Sequence, residues 1–312
     1  MQTHVETFTV PIAIRALKTA NIYRVPSDKG YILIDTGMSG DSVDQIVKES
    51  NDIQAVFLTH LHIDHVGGAL RIHEELGVPV YMNSKDINLI RQVANDKEAY
   101  IKKYVDIFRG NGVPLSMQED LIHMHPVINF YEYYSKLGFL QDISNLKLKE
   151  LKFVPVPGHS PGSTAVITED GYMMFSGDHI LERITPNISV YGEEDDLGNY
   201  LKSLELVKKL SPKIIFPGHG SRIDDPLKRI SEIEEHHAER IRAIAQALNE
   251  SKTAFEIAES IPWSKGRKMD TMNFMEKNFA ILETISHLRH MEAIGMVDSK
   301  DENGIIKYRI IK

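Results

Sequence analysis

Seven histidine and aspartate side chains lie in four short clusters, and each cluster directly follows an apolar run of residues. Strands that end at glycine or proline and continue into such residues place them along one edge of a sheet. Five imidazoles and two carboxylates gathered there form a donor set suited to a pair of divalent cations. The predicted metal ligands are His60, His62, Asp64, His65, His159, Asp178 and His219.

In the first cluster, His60, His62 and Asp64 alternate with apolar residues. An extended segment would project all three side chains to one side, because alternate side chains of a strand share a face. We expect His65 to begin a helix, whose next residues include two glycines that allow close backbone approach. The N-terminus of that helix would direct free N–H groups and the positive end of its dipole at the site.

The elements that position these clusters alternate between strands and helices, which predicts an α/β domain. Helical patterns cover Asp41 to Glu49, with Asp41 or Ser42 as cap, and Val66 to Leu76, which ends at Gly77. A further strand is predicted at Val78 to Met82. Strands are also predicted at Phe8 to Ile14, Ala20 to Val25, Tyr31 to Asp35, Ala55 to Thr59, Leu151 to Val156, Tyr172 to Phe175 and Lys213 to Phe216.

Residues 84 to 150 interrupt this alternation with a mostly helical pattern that is rich in aromatic residues. One interpretation is an extra helical layer packed on the domain. The other is a lid that forms one wall of a substrate pocket, since such pockets are mostly apolar and aromatic. Both interpretations stay open, and Tyr133 and Tyr134 are the candidates to face the substrate.

The C-terminal part of the chain reads as a separate module. A helix from Pro226 to Leu248 carries apolar residues on one face and leads out of the main domain. Thr253 to Lys312 then shows three helices and a hairpin, an order that is winged-helix-like. We therefore predict a catalytic domain at residues 1–235, with a helical insertion at about 84–150, and a linker helix with a winged-helix-like domain at 236–312.

The segment from Thr59 to Gly68, together with the three later ligands and the upstream Asp35-Thr36-Gly37, resembles the metallo-β-lactamase-fold hydrolases. The resemblance covers about residues 5 to 235. It implies an α/β fold, a four-layer αββα sandwich with metals at one edge. The terminal module resembles a lactamase-associated winged helix.

The resemblance also implies a role for each ligand. His60, His62 and His159 would hold one metal, and Asp35 would orient ligands without touching a metal. Two cations about 3.5–4 Å apart share a water and lower its pKa, so that the resulting hydroxide attacks a carbonyl or phosphorus. With only nitrogen and oxygen ligands, zinc is the leading metal, and manganese or iron is left open. The second metal would be held by Asp64, which also assists proton transfer, and by His65 and His219, with Asp178 bridging both metals.

Three functions are compatible with this site. The first is hydrolysis of an ester, thioester or lactone, a small-molecule substrate suited to an aromatic pocket. Lactonases of this fold often use a tyrosine three residues after the bridging aspartate, where this chain has Leu181. Tyr191 would replace that tyrosine only if a loop brings it back to the site.

The second function is phosphodiester cleavage of single-stranded RNA, and the third is a non-catalytic winged-helix regulator. Residues 251 to 312 carry ten Lys/Arg against nine Asp/Glu, whereas a nucleic-acid-binding module has a denser basic face. Near the candidate recognition helix, Asn278 to Met291, the basic groups are Lys277, His287, Arg289 and His290. The module is therefore interpreted as a docking or dimerisation element, and a homo-oligomer is left open.

Composition narrows the remaining classes. The 312 residues contain no cysteine, which excludes thiolate ligands and disulfides and agrees with a cytoplasmic location. The first residues lack a secretory pattern, no apolar stretch reaches a membrane span, and the net charge of −8 argues against broad nucleic-acid affinity. A single Asp-Thr-Gly excludes an aspartic protease, which needs two. Five other histidines are interpreted as structural or as neighbours of the site: His123, His125, His179, His236 and His237.

Overall fold

The computed structural model describes residues 5–12, 17–38, 40–49 and 52–311. The predicted end of the first strand, at Ile14, lies outside these residues. The side chains of Asp41 and Ser42, the predicted helix caps, are also outside the description.

Six strands form the first sheet in chain order. The first three pair antiparallel, and the third to sixth pair parallel. The strands are β1 (Glu6–Pro11), β2 (Thr19–Ser27), β3 (Gly30–Ile34), β4 (Ile53–Phe57), β5 (Val80–Met82) and β6 (Gln141–Asp142). β6, which the sequence pattern did not predict, adds the end of the helical insertion to the edge of the sheet.

Four strands form the second sheet in the order β10-β9-β8-β7. They are β7 (Leu151–Pro155), β8 (Thr164–Thr168), β9 (Met173–Gly177) and β10 (Ile214–Pro217). Tyr23, Ile32 and Phe57 from the first sheet meet Val166 and Phe175 from the second in a buried cluster. The predicted strands before the metal-ligand clusters are thus present, with ends shifted by one or two residues.

Helices cover the outer faces of both sheets and complete the predicted layers. Leu33 and Val56 pack with helical residues on one side, and Ala165 and Ile215 do so on the other. The fold class predicted from the sequence is therefore confirmed. The helices before the insertion are α1 (Asp41–Glu49), α2 (Ile63–Val66) and α3 (Ala69–Leu76).

The helix predicted from Val66 to Leu76 is instead two helices, because the chain between α2 and α3 must approach other backbone. A Cβ atom on Gly67 would lie 2.6 Å from the Ile63 carbonyl oxygen, and one on Gly68 would lie 2.6 Å from that of Thr36. Only glycine fits this approach. The predicted end at Gly77 is confirmed, with a φ of 66°.

The insertion is helical, as predicted, with five helices in residues 84–134. Its aromatic residues Tyr100, Tyr104, Phe108 and Tyr134 are buried in the main core, which favours the packed-layer interpretation. The helices are α4 (Ser84–Asn95), α5 (Lys97–Gly110), α6 (Leu115–His123), α7 (Pro126–Asn129) and α8 (Tyr131–Tyr134).

The remaining elements are α9 (Asp196–Leu210), α10 (Pro226–Ala247), α11 (Ala254–Ser260), α12 (Phe274–Ala293), β11 (Val297–Glu302) and β12 (Ile305–Ile310). The sequence pattern did not predict α9, and the helix that it predicted near Thr271 is only a short 3-10 helix, Met269–Thr271. Thr253 and Asn273 begin α11 and α12 with capping boxes. The small two-stranded sheet is present, and its assignment as a winged helix stays a prediction. The predicted domain boundary at residue 235 falls inside α10.

α12 is buried by the rest of the molecule rather than exposed. Ile281, Ile285 and Leu288 join the core cluster that also contains the insertion helices. The Asn278 side-chain amide donates to the Leu121 carbonyl at 2.8 Å. In the described part of the chain, no helix has both the length and the apolar composition needed to cross a lipid bilayer.

Candidate metal centre

The seven predicted ligands meet at one end of the two sheets, because each follows a strand that ends there. His60 and His62 follow β4, and His159 lies between β7 and β8. Asp178 and His219 follow β9 and β10, which run parallel to each other. The carboxyl ends of parallel neighbouring strands meet at one sheet edge, which places Asp178 and His219 beside each other.

One group of donors consists of three imidazoles. His62 Nδ1 lies 3.0 Å from His60 Nε2 and 3.0 Å from His159 Nε2. An ion held by tetrahedral bonds of about 2.0–2.1 Å separates its donors by about 3.3 Å. The three nitrogens therefore have the spacing of three corners of a metal coordination shell.

A second group lies beside it. His219 Nε2 is 3.3 Å from His65 Nε2 and 3.4 Å from Asp64 Oδ2. Asp178 stands between the groups, with Oδ1 3.3 Å from His65 Nε2 and Oδ2 3.8 Å from His159 Nε2. Sets of donors within this cluster lie close enough together to hold metal ions.

Hydrogen bonds on the far side of four rings fix which nitrogen carries the proton. His159 Nδ1 donates to the Asn187 carbonyl at 2.9 Å, and His219 Nδ1 donates to the Thr19 carbonyl at 2.6 Å. A carbonyl oxygen can only accept a hydrogen bond, so Nδ1 of each neutral ring carries the hydrogen. Nε2 of each ring then has a free lone pair that points into the site and can bind a metal.

Asp35 fixes the remaining two rings. Its Oδ2 accepts from His65 Nδ1 at 2.7 Å and from the Thr59 hydroxyl at 2.8 Å. Since that hydroxyl donates to Asp35, it accepts from His60 Nδ1 at 3.0 Å. Asp35 thus contacts one ring directly and the other through Thr59, and both Nε2 atoms are directed inwards. Its role in orienting metal ligands stays a prediction.

A further observation supports metal binding by this set of side chains. Asp178 Oδ1 is buried and has no hydrogen-bond partner among the described residues. A buried carboxylate oxygen without a donor is costly unless a cation compensates it. Imidazole nitrogens and carboxylate oxygens are common ligands of zinc and of other first-row metals.

In the metal-free protein, the histidines of the two ligand groups differ in their tendency to carry a proton. Burial, followed by the neighbouring His159, lowers the pKa of His62 to about 3. Burial also opposes a charge on His219, but the facing Asp178 and Asp64 carboxylates together outweigh it and raise the pKa of His219 to about 10. Metal binding at the second group therefore has to displace protons, which makes it dependent on pH.

The extended segment predicted to carry His60, His62 and Asp64 is not formed, because β4 ends at Phe57, the chain bends at residues 59–61, and His62 is the N-cap of α2. Asp64 and His65 both lie in the single turn of α2, and α2 begins at Ile63 rather than at His65. This correction has a functional reason. The helical turn separates Asp64 from the three-histidine group and directs it to His219.

Asp86 is a residue of the site region that sequence reasoning missed. It lies in the first turn of α4 and is fully buried. Its Oδ2 accepts from Leu61 N–H at 3.0 Å and from the Ser160 hydroxyl at 2.7 Å, and its Oδ1 accepts from Gly162 N–H at 2.6 Å. Burial raises the pKa of Asp86 to about 6. One carboxylate thus joins the loop that carries His60 and His62 to the loop that carries His159.

The three tyrosines proposed for the pocket have different places. Tyr191 is brought back by its loop, with its hydroxyl 2.7 Å from His62 Nε2. Tyr133 donates to the Val66 carbonyl at 2.6 Å, and Tyr134 donates to the Leu61 carbonyl at 2.9 Å. These contacts support the metal-ligand loop from behind, and a substrate contact for Tyr133 and Tyr134 stays a prediction.

The other histidines that the sequence analysis singled out lie outside the group of predicted ligands. His179 is buried against Tyr200, directly after Asp178. His237 Nδ1 and His287 Nε2 share a hydrogen bond of 3.1 Å at the contact between α10 and α12. His125 is buried beside Tyr104, while His123 is exposed.

Comparisons with known proteins agree with this geometry. A family model described as the metallo-beta-lactamase superfamily matches residues 17–219. The beta-lactamase-like protein 2 homolog of Drosophila melanogaster is 28% identical over 257 residues, which cover 78% of this chain and 75% of that protein. The probable metallo-hydrolase YqgX of Bacillus subtilis (strain 168) is 24% identical over 212 residues, covering 66% of this chain and 87% of that protein.

Two solved structures share the fold over almost the whole chain. A metallo-beta-lactamase family protein from Thermus thermophilus has a TM-score of 0.77 at 24% identity and covers 98% of both chains. A beta-lactamase domain protein from Burkholderia ambifaria has a TM-score of 0.79 at 22% identity, covering 99% of this chain and 94% of that chain. The likeness therefore extends through the C-terminal elements.

Proposed function

Because this chain belongs to the metallo-β-lactamase superfamily and is a metal-dependent hydrolase, we propose that it uses two cations to hydrolyse an ester, thioester or lactone. The observation that supports two cations is the position of Asp178 between two groups of donors, 3.3 Å from His65 Nε2 and 3.8 Å from His159 Nε2. The proposed metal is zinc, with manganese and iron as alternatives.

The three-histidine group would hold one ion, and Asp64, His65 and His219 would hold the other, with Asp178 touching both. When bound, the two cations supply a strong nucleophile from water near neutral pH and polarise the scissile group of the substrate. Asp35 keeps His65 and His60 in the tautomers that ligation requires.

Asp64 and Tyr191 are the proposed partners of the reacting groups. Asp64 Oδ2 lies beside His219 within the second group, where it can receive a proton from the attacking water. If His62 uses Nδ1 as a ligand, its Nε2 carries hydrogen and donates to Tyr191. The hydrogen of the Tyr191 hydroxyl is then free to donate to a substrate oxygen.

The C-terminal module is proposed to pack rather than to bind nucleic acid. The candidate recognition helix α12 is buried over most of its length, with Ile281, Ile285 and Leu288 in the core. A helix that reads a groove must instead present an exposed basic face. We retain the division into residues 1–235 and 236–312 as a proposal, with α10 spanning the boundary.

The test combines metal analysis with a substrate panel. Zinc-loaded protein and a His60→Ala variant are incubated with thioesters, lactones, simple esters and a labelled unstructured RNA. We expect about two ions per chain and carbonyl hydrolysis that His60→Ala abolishes. RNA cleavage abolished by His60→Ala, without carbonyl hydrolysis, would replace the proposed reaction with the nuclease. Protein that binds no transition metal would refute both.

A further inference from the structure

Residues 187–195, called here the Tyr191 loop, connect the region after β9 to α9 and bring Tyr191 to His62. None of the backbone-to-backbone hydrogen bonds of the described residues involves positions 187–194. The loop is instead held through side chains that come from other elements. Its conformation therefore depends on those elements rather than on its own secondary structure.

Three consecutive carbonyls of this loop accept hydrogen bonds from three different side chains. Tyr104 donates to the Val190 carbonyl at 2.8 Å. The ammonium group of Lys103 donates to the Tyr191 carbonyl, and the guanidinium of Arg289 donates to the Gly192 carbonyl. The first two donors lie on α5 in the insertion, and the third lies on α12 in the C-terminal module.

α12 makes a second contact with the end of the same loop. His290 Nδ1 lies 2.9 Å from Asp195 Oδ2, and Asp195 Oδ1 accepts from Gly198 N–H at 2.8 Å. One carboxylate therefore caps α9 and also joins α9 to α12. Charge-assisted bonds of this kind are shorter and stronger than neutral ones.

We propose that Arg289 and His290 of the C-terminal module are positioning residues of the metal centre. They hold the Tyr191 loop so that the Tyr191 hydroxyl meets His62 Nε2, 2.7 Å away, and fixes the ring whose Nδ1 faces His60 and His159. The C-terminal module thereby completes a site formed by the other domain. This inference rests on one part of the proposed function, namely that His62 is a metal ligand.

The contact has the geometry that an outer support of a ligand requires. His62 is half-buried, whereas His60 and His159 are buried, so packing alone restrains the His62 ring least. The other two rings donate through Nδ1 to the Asn187 carbonyl, at the start of the same loop, and to the Thr59 hydroxyl. Removing such outer partners lowers metal affinity by about 10–100-fold.

The full-length protein tests the inference through metal affinity. Zinc competition with a chromophoric chelator and the visible spectrum of the cobalt(II)-loaded protein are measured for Arg289→Ala, Arg289→Lys and Tyr191→Phe. We expect Arg289→Ala and Tyr191→Phe to weaken one of the two ions by about tenfold and to change the cobalt spectrum. Arg289→Lys, which keeps a donor, restores part of the affinity.

Arg309→Ala is the matched control, because Arg309 belongs to the same module but pairs with Asp298 within the hairpin. It should leave the affinity and the spectrum unchanged. Asp195→Asn is the second variant, in case Arg289→Ala does not fold. An asparagine can still cap α9 and loses only the charge that faces His290.

Amide hydrogen exchange at Tyr191, whose N–H donates to Asp196 Oδ2 at 3.4 Å, separates this inference from the proposed function. Faster exchange in Arg289→Ala and Asp195→Asn than in the wild type and Arg309→Ala supports the positioning role, even in protein that binds no metal. Wild-type protein that binds two ions, together with both variants showing wild-type affinity, spectrum and exchange, overturns the inference and leaves the proposed function standing.

Discussion

At the scale of single residues, the site depends on carboxylates that each contact more than one histidine or loop. Asp178 faces His65, His159 and His219, at 3.3 to 3.8 Å. Asp35 orients two rings, and Asp86 joins two loops. Because each carboxylate is shared, losing it disturbs several ligands at once, and this makes its substitution informative.

Asp178→Ala is expected to lower metal content and hydrolysis together. The substitution removes the carboxylate that lies between the two groups. Metal polarisation contributes several kcal/mol to such reactions, so we expect a loss of more than about a hundredfold in rate. Elemental analysis and the rate on the best substrate measure it. Asp170→Ala, in the exposed turn before β9, is the control. Wild-type activity in metal-free Asp178→Ala would contradict the metal mechanism.

Asp86→Asn is expected to weaken the ion at the three-histidine group. Leu61 N–H, the Ser160 hydroxyl and Gly162 N–H together donate to both oxygens of the Asp86 carboxylate. The NH₂ group of an asparagine would face at least one of these three donors. An unsatisfied buried donor costs about 1–3 kcal/mol, and we expect a loss of about 10–100-fold in affinity.

A stepwise zinc titration measures the effect of Asp86→Asn. Asp35→Asn is the comparison, because Asp35 contacts His65 in the other group and should weaken the second ion more strongly. Equal losses at both ions in the two variants would argue against separate supports for the two groups.

At the scale of elements, the ligands lie on loops whose close approach depends on glycine. The loop after β7 passes so near α4 that a Cβ atom on Gly162 would lie 2.7 Å from the Asp86 backbone nitrogen. The loop that carries His60 and His62 is held from the other side by Tyr134. The helical insertion therefore serves as a support for two metal-ligand loops, in addition to any wall it forms around a substrate.

Gly162→Ala is expected to destabilise the protein and to lower its metal content, because the added methyl group separates α4 from the loop of His159. Overpacking of this kind costs about 1–3 kcal/mol. Gly138→Ala is the control, since nothing lies within 4 Å of its Cβ position, and its effect should stay within about 0.5 kcal/mol. Denaturant unfolding measures both, and equal stabilities would contradict the proposed contact.

At the scale of the whole molecule, the C-terminal module and the insertion share one core with the first sheet. Histidines buried in these contacts couple folding to pH. Burial, followed by the charge of Lys103, lowers the pKa of His125 to about 3, and burial lowers the pKa of His287 to about 4. Burial and the neighbouring His287 hold the pKa of His237 well below its usual value.

Stability is expected to fall as the pH drops below about 6.5. Below that pH the histidines of the unfolded chain are protonated, whereas the buried rings of the folded protein stay neutral. Each such histidine therefore lowers the free energy of unfolding by up to about 1.4 kcal/mol per pH unit, until the pH reaches its pKa in the folded protein. Denaturant unfolding of the wild type and of His125→Phe, at pH 7, 6 and 5 and at equal metal content, measures the slope. We expect a smaller slope in the variant.

His123→Gln is the matched control for this slope, because His123 is exposed and lies only two residues from His125. It should keep the slope of the wild type. An unchanged slope in His125→Phe would show that His125 does not contribute.

The sequence alone determined the donor types, their order and the strands that precede them. Those features are local: alternation of apolar residues, a glycine or proline at the strand end, and then a histidine or aspartate. The same local rules predicted the helix end at Gly77 and the order of the C-terminal elements. The local rules were less reliable at His60 to Leu76, where α2 begins earlier than predicted and two glycines separate it from α3. Close contacts of those glycines with Thr36 and Ile63 determine where the helices begin and end.

Only the tertiary structure decided how distant segments meet at the site. Asp86 is joined to Ser160 across 74 positions, and Tyr191 is joined to His62 across 129 positions. A buried aspartate in the first turn of α4 reads locally as an ordinary helix-start residue, and Arg289 reads as a basic group of a recognition helix. Their roles come from the partners that folding brings to them, and no short-range pattern encodes those partners.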